Sequence, residues 1–411
     1  MPLSPGKGAP PADSAKPVAA RQHPVWVYCA LAGLAACGWE AARAAWADQL
    51  SRGSLEGRIL AARRFPAAPV YERLADKREE VGQDPLADLR HAVSLDPENP
   101  ARRMRLGVRA ELSGHLVEAE ENLLRAAELD RGYRPRYLLA QFFFRRQDEA
   151  RFERWSREAF QAASGDTMAL IDLCWQVDAD PGRVARRGLS EKPAVARQFL
   201  VSLALREQLD AARQLASSIA ASARQEDLGP LLTYANLCLF HGYRDAPLEV
   251  WNRLSERKLV PYPPLDADRG PLAVNSDFSR QSIGTGFDWR VEPRPWVRSV
   301  RFGGGLFLDL SGEQPESCLL AWQYVPVIAG RHYRLSYASH AVDSPEPDGL
   351  AWVFHEVSGK IVPAGTAGDR GLRFTAPADL LRLAVYYRRP AGSVRMRGTV
   401  VIERLALEEE R

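Results

Sequence analysis

Cysteine is scarce in this chain and badly placed for chemistry: Cys29, Cys37, Cys174, Cys238 and Cys318 are scattered over 411 positions. None forms a CxxC pair or another metal-type spacing, so no disulfide framework is expected, and the thiols read as buried and inert. Catalytic signatures are missing as well. There is no HExxH, no GxSxG, no phosphate loop, no protein-kinase set and no deaminase signature. The glycines of Phe302-Gly303-Gly304-Gly305 are followed by neither GK[ST] nor a helical pattern, which makes them a β-bulge or a tight hairpin. An excess of one charge is absent too. With 55 basic and 52 acidic side chains the net charge is +3, and so weak a field gives no reason to expect nucleic acid as a partner.

What is present is the composition of a folded protein, 46% hydrophobic and 26% charged, at a length that suggests roughly two to three units. Residues 1–24 are rich in Pro, Ala, Gly and Ser with only Lys7, Lys16 and Arg21 as basic side chains, and are expected as a disordered tail. The run from Val25 to Trp39 carries no charge. As a helix it measures about 22 Å, short of the roughly 30 Å of hydrocarbon. Continuing to Ala47 supplies the length but takes in Glu40 and Arg43. The expectation is a single-pass inner-membrane anchor over residues 25–47, with Trp26, Tyr28, Trp39 and Trp46 near its ends as interfacial aromatics. Two alternatives stay open: Leu34-Ala35-Ala36-Cys37 resembles a bacterial lipoprotein box, and so short a run also suits a core helix or a signal segment. Arg43, Arg52, Arg58, Arg63 and Arg64 outnumber the basic residues before the run, which by the positive-inside rule favours a cytoplasmic bulk. A periplasmic or extracellular bulk is expected instead, because of the C-terminal module described below.

Residues 48–260 repeat. Ala92, Ala126 and Ala159 are separated by 34 and 33 positions, and Leu106, Leu139 and Leu173 by 33 and 34, the period of a two-helix unit. In Arg103 to Asp130 the small residues Gly107, Ala119 and Ala126 permit close helix approach, while Leu106, Leu123 and Leu129 recur on apolar faces. Leu106-Gly107, Gly114, Ala119, Leu123 and Ala126 follow the order of a tetratricopeptide repeat, which this unit resembles. Arg103 and Ala110 depart from the motif's Trp and Tyr, and Phe152 stands where the next unit should have a small residue. Further helices are expected around Leu173-Cys174-Trp175, after Pro181, and as the pairs Pro193 to Arg206 with Leu209 to Ala223 and Leu228 to His241 with Asp245 to Arg257. The resemblance implies an α-solenoid whose concave face takes a peptide or another protein.

Prolines 261, 263, 264 and 271 with Gly270 then mark a linker over 261–274. From 275 to 411 short runs rich in Val, Tyr, Phe and Trp (FLDL, AWQYVPV, HYRLSY, LAWVF, LRFTA, RLAVYY, TVVIERLAL) alternate with turn residues, the pattern of two packed antiparallel sheets. The order of Asn275 to Phe278, Gly286 to Trp289, Gly330 before Tyr333, Phe374 to Pro377 and Val401 to Leu407 resembles jelly-roll carbohydrate-binding modules. That resemblance implies a β-sandwich and a glycan ligand. Glycan binding needs exposed rings and planar polar groups, and the candidates are Trp289, Arg290, Trp296, Trp322, Trp352 and Tyr386, although each Trp also suits an inter-sheet core. Asp266, Asp268 and Asp277 suit turn caps or a structural calcium site. His340, Asp343, Asp348, His355 and Glu356 cluster in sequence and read as surface-loop polarity, with a metal or acid–base site as the alternative. The chain is thus expected to be a non-enzymatic, cofactor-free, membrane-anchored envelope scaffold, contacting a protein through its helices and a glycan or protein through its sheets, in exopolysaccharide assembly or export. The alternative is a glycan-active enzyme or lipoprotein with its site in the sheet loops.

Overall fold

Helices occupy the described chain up to Glu256 and strands begin at Arg290. The computed structural model describes residues 25–410 except 293, 302–303, 343–348, 367–370 and 390. The expected tail 1–24 lies outside these residues, as do Phe302, Gly303, Asp343 and Asp348. The chain divides into two compact units, Met1–Asp130 and Arg131–Arg411.

In the first unit the helices are α1 (Val25–Ser51), α2 (Leu55–Arg64), α3 (Ala68–Glu80), α4 (Leu86–Leu95), α5 (Pro100–Leu112) and α6 (Leu116–Leu129). The spanning anchor expected over 25–47 is not found: among the described residues no helix is long and apolar enough to cross a membrane. Charge is the reason. Beyond Trp39, α1 brings in Glu40 and Arg43, paired at 3.4 Å, and then Asp48, 2.7 Å from Arg52. Its last turns instead join a small core, with Ala47 buried alongside Ala61, Ala62, Val70 and Leu74 and Trp46 packed on Phe65.

The pair α5–α6 shows why its sequence repeats. Asn99 caps α5 by accepting from the N–H groups of Ala101 and Arg102, with Pro100 in the first turn, where its missing N–H costs nothing. A Cβ on Gly107 would lie 2.8 Å from Leu123 Cγ, so only glycine lets these helices meet. Ion pairs 27 to 29 positions apart join neighbouring helix pairs: Arg90 to Glu118 at 2.7 Å, Arg105 to Asp76 at 2.5 Å and Arg125 to Glu98 at 3.0 Å. Being exposed, each contributes a fraction of a kcal/mol.

The second unit opens with α7 (Tyr133–Arg145), α8 (Glu149–Ala162), α9 (Met168–Val177), α10 (Pro181–Ala185), α11 (Pro193–Leu205), α12 (Leu209–Ala221), α13 (Leu228–Phe240) and α14 (Asp245–Glu256). Phe152, at the position where a small residue is usual, is fully buried in α8. The stretch expected as a linker is packed. Tyr262 stacks on Trp251 at 6.1 Å, Asn252 exchanges two 2.8 Å hydrogen bonds with the Leu265 backbone, and Val260, Leu265 and Val274 are buried. The prolines end the helical period without loosening the chain.

Among the described residues ten strands follow: β1 (Arg290–Val291), β2 (Val297–Arg301), β3 (Leu306–Ser311), β4 (Ser317–Pro326), β5 (His332–Ala341), β6 (Leu350–Glu356), β7 (Gly365–Thr366), β8 (Gly371–Thr375), β9 (Leu380–Arg388) and β10 (Arg397–Glu409). They form two antiparallel sheets, β1-β4-β9-β6 and β2-β3-β10-β5-β8-β7. Side chains from both sheets share one core, including Leu308, Leu335 and Ile402 from one and Leu320, Phe354 and Leu383 from the other. Phe354 and Phe374, from opposite sheets, have ring centroids 4.0 Å apart. The glycine run falls between β2 and β3, which pair antiparallel, and a Cβ on Gly305 would come within 2.8 Å of Val401.

Candidate binding face

Strand β9 sorts the candidates. Leu381, Leu383, Val385 and Tyr387 enter the core, so Arg382, Ala384 and Tyr386 point to the opposite face of the four-stranded sheet. A register shift in β4 between Leu319 and Ala321 puts Trp322 and Tyr324 on that same outer face, opposite Ala384 and Arg382. Across β6, Val353 lies opposite Ala384 and His355 opposite Arg382. Arg290 lies opposite Trp322 on β1. Arg290, Trp322, Tyr324, Arg382, His355 and Tyr386 therefore form one cluster around Ala384, which is fully buried among them.

Three of the six glycan candidates are in this cluster and three are not. Trp289 is fully buried between the sheets, 5.2 Å from Phe278 and edge-on to Trp352 at 6.2 Å. Trp352 is 6% exposed and stacks toward Tyr337, and Trp296 packs half-buried against the same core. Rings placed this way have no free face for a sugar. Sequence reading named neither Tyr324 nor Arg382, and placed His355 in a loop cluster and not on this face. The alternation of RLAVYY already puts Arg382 and Tyr386 on one side, whereas the β4 irregularity that brings Trp322 to them leaves no mark in the sequence.

The cluster is basic. The Arg290 guanidinium lies 4.5 Å from the Trp322 ring centroid and 5.2 Å from that of Tyr324, and Arg382 lies 5.3 Å from Trp322, within cation–π range. Arg290 donates to Asn236 Oδ1 at 2.7 Å, to Gly286 O at 2.9 Å and to Asp288 O at 3.3 Å, all neutral acceptors. Burial holds its pKa below the usual arginine value. Among the described residues the buried Nε of Arg382 has no hydrogen-bond partner. The nearby carboxylate Glu292 is engaged by the Trp322 indole N–H at 3.1 Å and by Arg294 at 3.5 Å.

His355 borders the arginines. Its Nε2 is 3.2 Å from the Tyr386 hydroxyl and its Nδ1 3.2 Å from Gly359 O, an arrangement that suits a neutral ring donating from Nδ1 and accepting at Nε2. Burial lowers its pKa from 6.5, and the charges of Arg382 and Arg388 lower it further. With the folded-state pKa depressed, the unfolded chain takes up a proton first as pH falls. Stability is then fully present above pH 6.5 and is lost as pH drops through the folded-state value. Urea midpoints measured from about pH 8 to about pH 5 should fall with acidification in the wild type and fall less in His355→Gln; parallel curves would contradict this.

Among the described residues, those that the sequence offered as alternative metal or acid–base sites lie apart or cap turns. His340 stands on β5 in the six-stranded sheet with Glu403 at 2.8 Å, while His355 and Glu356 belong to β6 in the other sheet. Asp266 caps a turn by accepting from Asp268 and Arg269 N–H, Asp277 accepts from Ser279, and Asp268 pairs with Arg331 at 2.7 Å. Among the described residues no group of three or more His, Cys, Asp or Glu could hold a metal.

No family model matches the chain, and no curated protein matches it either. Solved structures do. One, from the functional characterization of Pseudomonas aeruginosa PilF, is 19% identical, covers 47% of this chain and 92% of its own, and has a TM-score of 0.26. Another, YrrB, described as a TPR protein with an unusual peptide-binding site, is 14% identical, covers 49% of this chain and 93% of its own, and has a TM-score of 0.25.

Proposed function

We propose that the protein is a non-catalytic scaffold of the bacterial envelope, in which the helical array engages a protein partner and the β module, a jelly roll in this reading, holds an acidic glycan on its outer face. The observation that carries the glycan half is the pair of guanidiniums, Arg290 and Arg382, set against Trp322 and, among the described residues, in no salt bridge with a carboxylate. A guanidinium is a planar fork that matches a carboxylate, and a uronic-acid polymer presents such groups at sugar spacing. Tyr386 and the edges of Trp322 supply apolar contact for the ring faces. The helix pairs support the protein-binding half through the surface that stacked repeats expose. An envelope location and a place in exopolysaccharide assembly or export follow from a ligand of this class.

The test is binding of the full chain to polygalacturonate and, separately, to uncharged dextran, by isothermal titration. Polygalacturonate should bind, and Arg382→Ala should weaken it by roughly tenfold or more without shifting the melting curve. Dextran should not bind. Failure of both polymers to bind would remove the glycan reading, and undiminished binding by Arg382→Ala would move it off this face.

A further inference from the structure

The second half of β10 is paired on one side only. Residues Arg397 to Ile402 lie between β3 and β5, but Arg404 to Glu409 have only β5 as a ladder partner. The direction of the backbone groups follows from one hydrogen bond. Glu410 N–H donates to His332 O at 2.9 Å, so Glu410, Glu408 and Ala406 face β5, and the intervening Leu405, Leu407 and Glu409 turn their N–H and C=O groups the other way. Leu405 uses its N–H on Ser276 O at 2.8 Å. Among the described residues no other backbone bond reaches Leu407 or Glu409 from that side.

Beside this edge lies a cavity of about 520 Å³, walled by Leu405 to Glu409 on one side and by Ala267 to Ala273 with Ser276 on the other. The facing wall is a turn closed on itself: Asp266 N–H donates to Pro271 O and Gly270 N–H to Asp266 O. It therefore stands off the strand instead of pairing with it. Arg331 bridges Asp268 of the turn and Glu409 of the strand, at 2.7 and 3.1 Å, and spaces the walls apart. An exposed strand edge is normally covered, charged or shortened. Here it is left unpaired along one wall of the cavity.

We propose that this groove accepts an extended peptide segment of another protein as an added strand on β10. The groups that recognise it are main-chain: Leu407 and Glu409 offer N–H and C=O, and Leu405 its C=O, over about 13 Å of strand, enough for some four residues. Side chains of the incoming segment alternate, every second one turning toward Leu272, Ala273, Leu405 and Leu407, so small aliphatic residues fit there. The turn that closes the far side leaves a cavity of about 520 Å³, room for a short segment and not for the sheet edge of a second copy. This site is separate from the basic face and does not depend on the glycan reading.

The experiment uses the full chain and a fluorescein-labelled hexapeptide of alternating valine and lysine, followed by fluorescence anisotropy. Saturable binding is expected, together with loss of affinity by about tenfold or more in Glu409→Pro. Proline removes one of the two N–H groups that point into the groove and leaves the β5 ladder intact, because Glu409 makes no ladder bond to β5. Glu409→Gln, which keeps the N–H, should bind like the wild type. If Glu409→Pro does not fold, the same hexapeptide with its valines N-methylated supplies the comparison and should fail to bind the wild type. Absence of saturable binding, or equal binding of the proline variant or of the N-methylated peptide, would overturn the proposal.

Discussion

Trp289→Ala should destabilise the Arg131–Arg411 unit by about 4 kcal/mol, a drop of about 10 °C in melting temperature for a unit of this size. The ring is fully buried, between Phe278 and Trp352, and its removal leaves a cavity that two rigid sheets cannot close. Binding of polygalacturonate, measured well below the new midpoint, should be unchanged, because Trp289 touches nothing on the outer face. Differential scanning calorimetry and titration of one sample read both quantities. A variant with wild-type stability and lost binding would return Trp289 to the ligand site.

The second large effect is at Gly286. Its φ of +62° lies in the left-handed region, and a Cβ there would stand 2.4 Å from Cζ3 and 2.7 Å from Cε3 of Trp251. Trp251 cannot yield: it is fully buried, stacked on Tyr262 and edge-on to Phe287 at 5.9 Å. Gly286→Ala combines overpacking with the cost of left-handed backbone for an L-residue, together about 3 kcal/mol. Urea unfolding should show the midpoint falling with the slope unchanged. Trp251→Leu in the same chain should recover part of the loss, since the smaller side chain makes room for the methyl group; no recovery would mean that backbone strain alone is responsible.

The helical array was legible because its signals are local. Apolar spacing, Asn99-Pro100 at a helix start, and Gly107 facing Leu123 all act within a single pair of helices. The strands were legible from alternation, as in FLDL, which becomes β3. What failed depends on distant partners. The prolines between 261 and 274 looked like slack chain, yet Tyr262 finds Trp251 and Leu265 finds Asn252 on α14. The run from Val25 to Ala47 reads as a membrane span with Glu40 and Arg43 already inside it, whereas the end of α1 packs Ala47 against Ala61, Ala62, Val70 and Leu74 of α2 and α3. Among the six glycan candidates, residue type did not distinguish an inward Trp from an outward one. Trp289 and Arg290 are adjacent in sequence and point to opposite sides of the sheet, and the position of Trp322 depends on an irregularity in β4 that only cross-strand pairing reveals.

Arg290 is held by two parts of the molecule at once. Its guanidinium rests on Trp322 and bonds to Asn236 on α13, and Asn236 also accepts from Gly286 N–H at 2.8 Å. Arg244, just before α14, reaches Val327 O at 2.9 Å and Asp379 at 3.2 Å. A polymer gripped at the basic face and then dragged by flow or growth would pull on the helices through several short polar tethers in parallel. Tension of that kind is resisted in shear, so the module behaves as a stiff bracket on its helices and would not swing like a weight on a string.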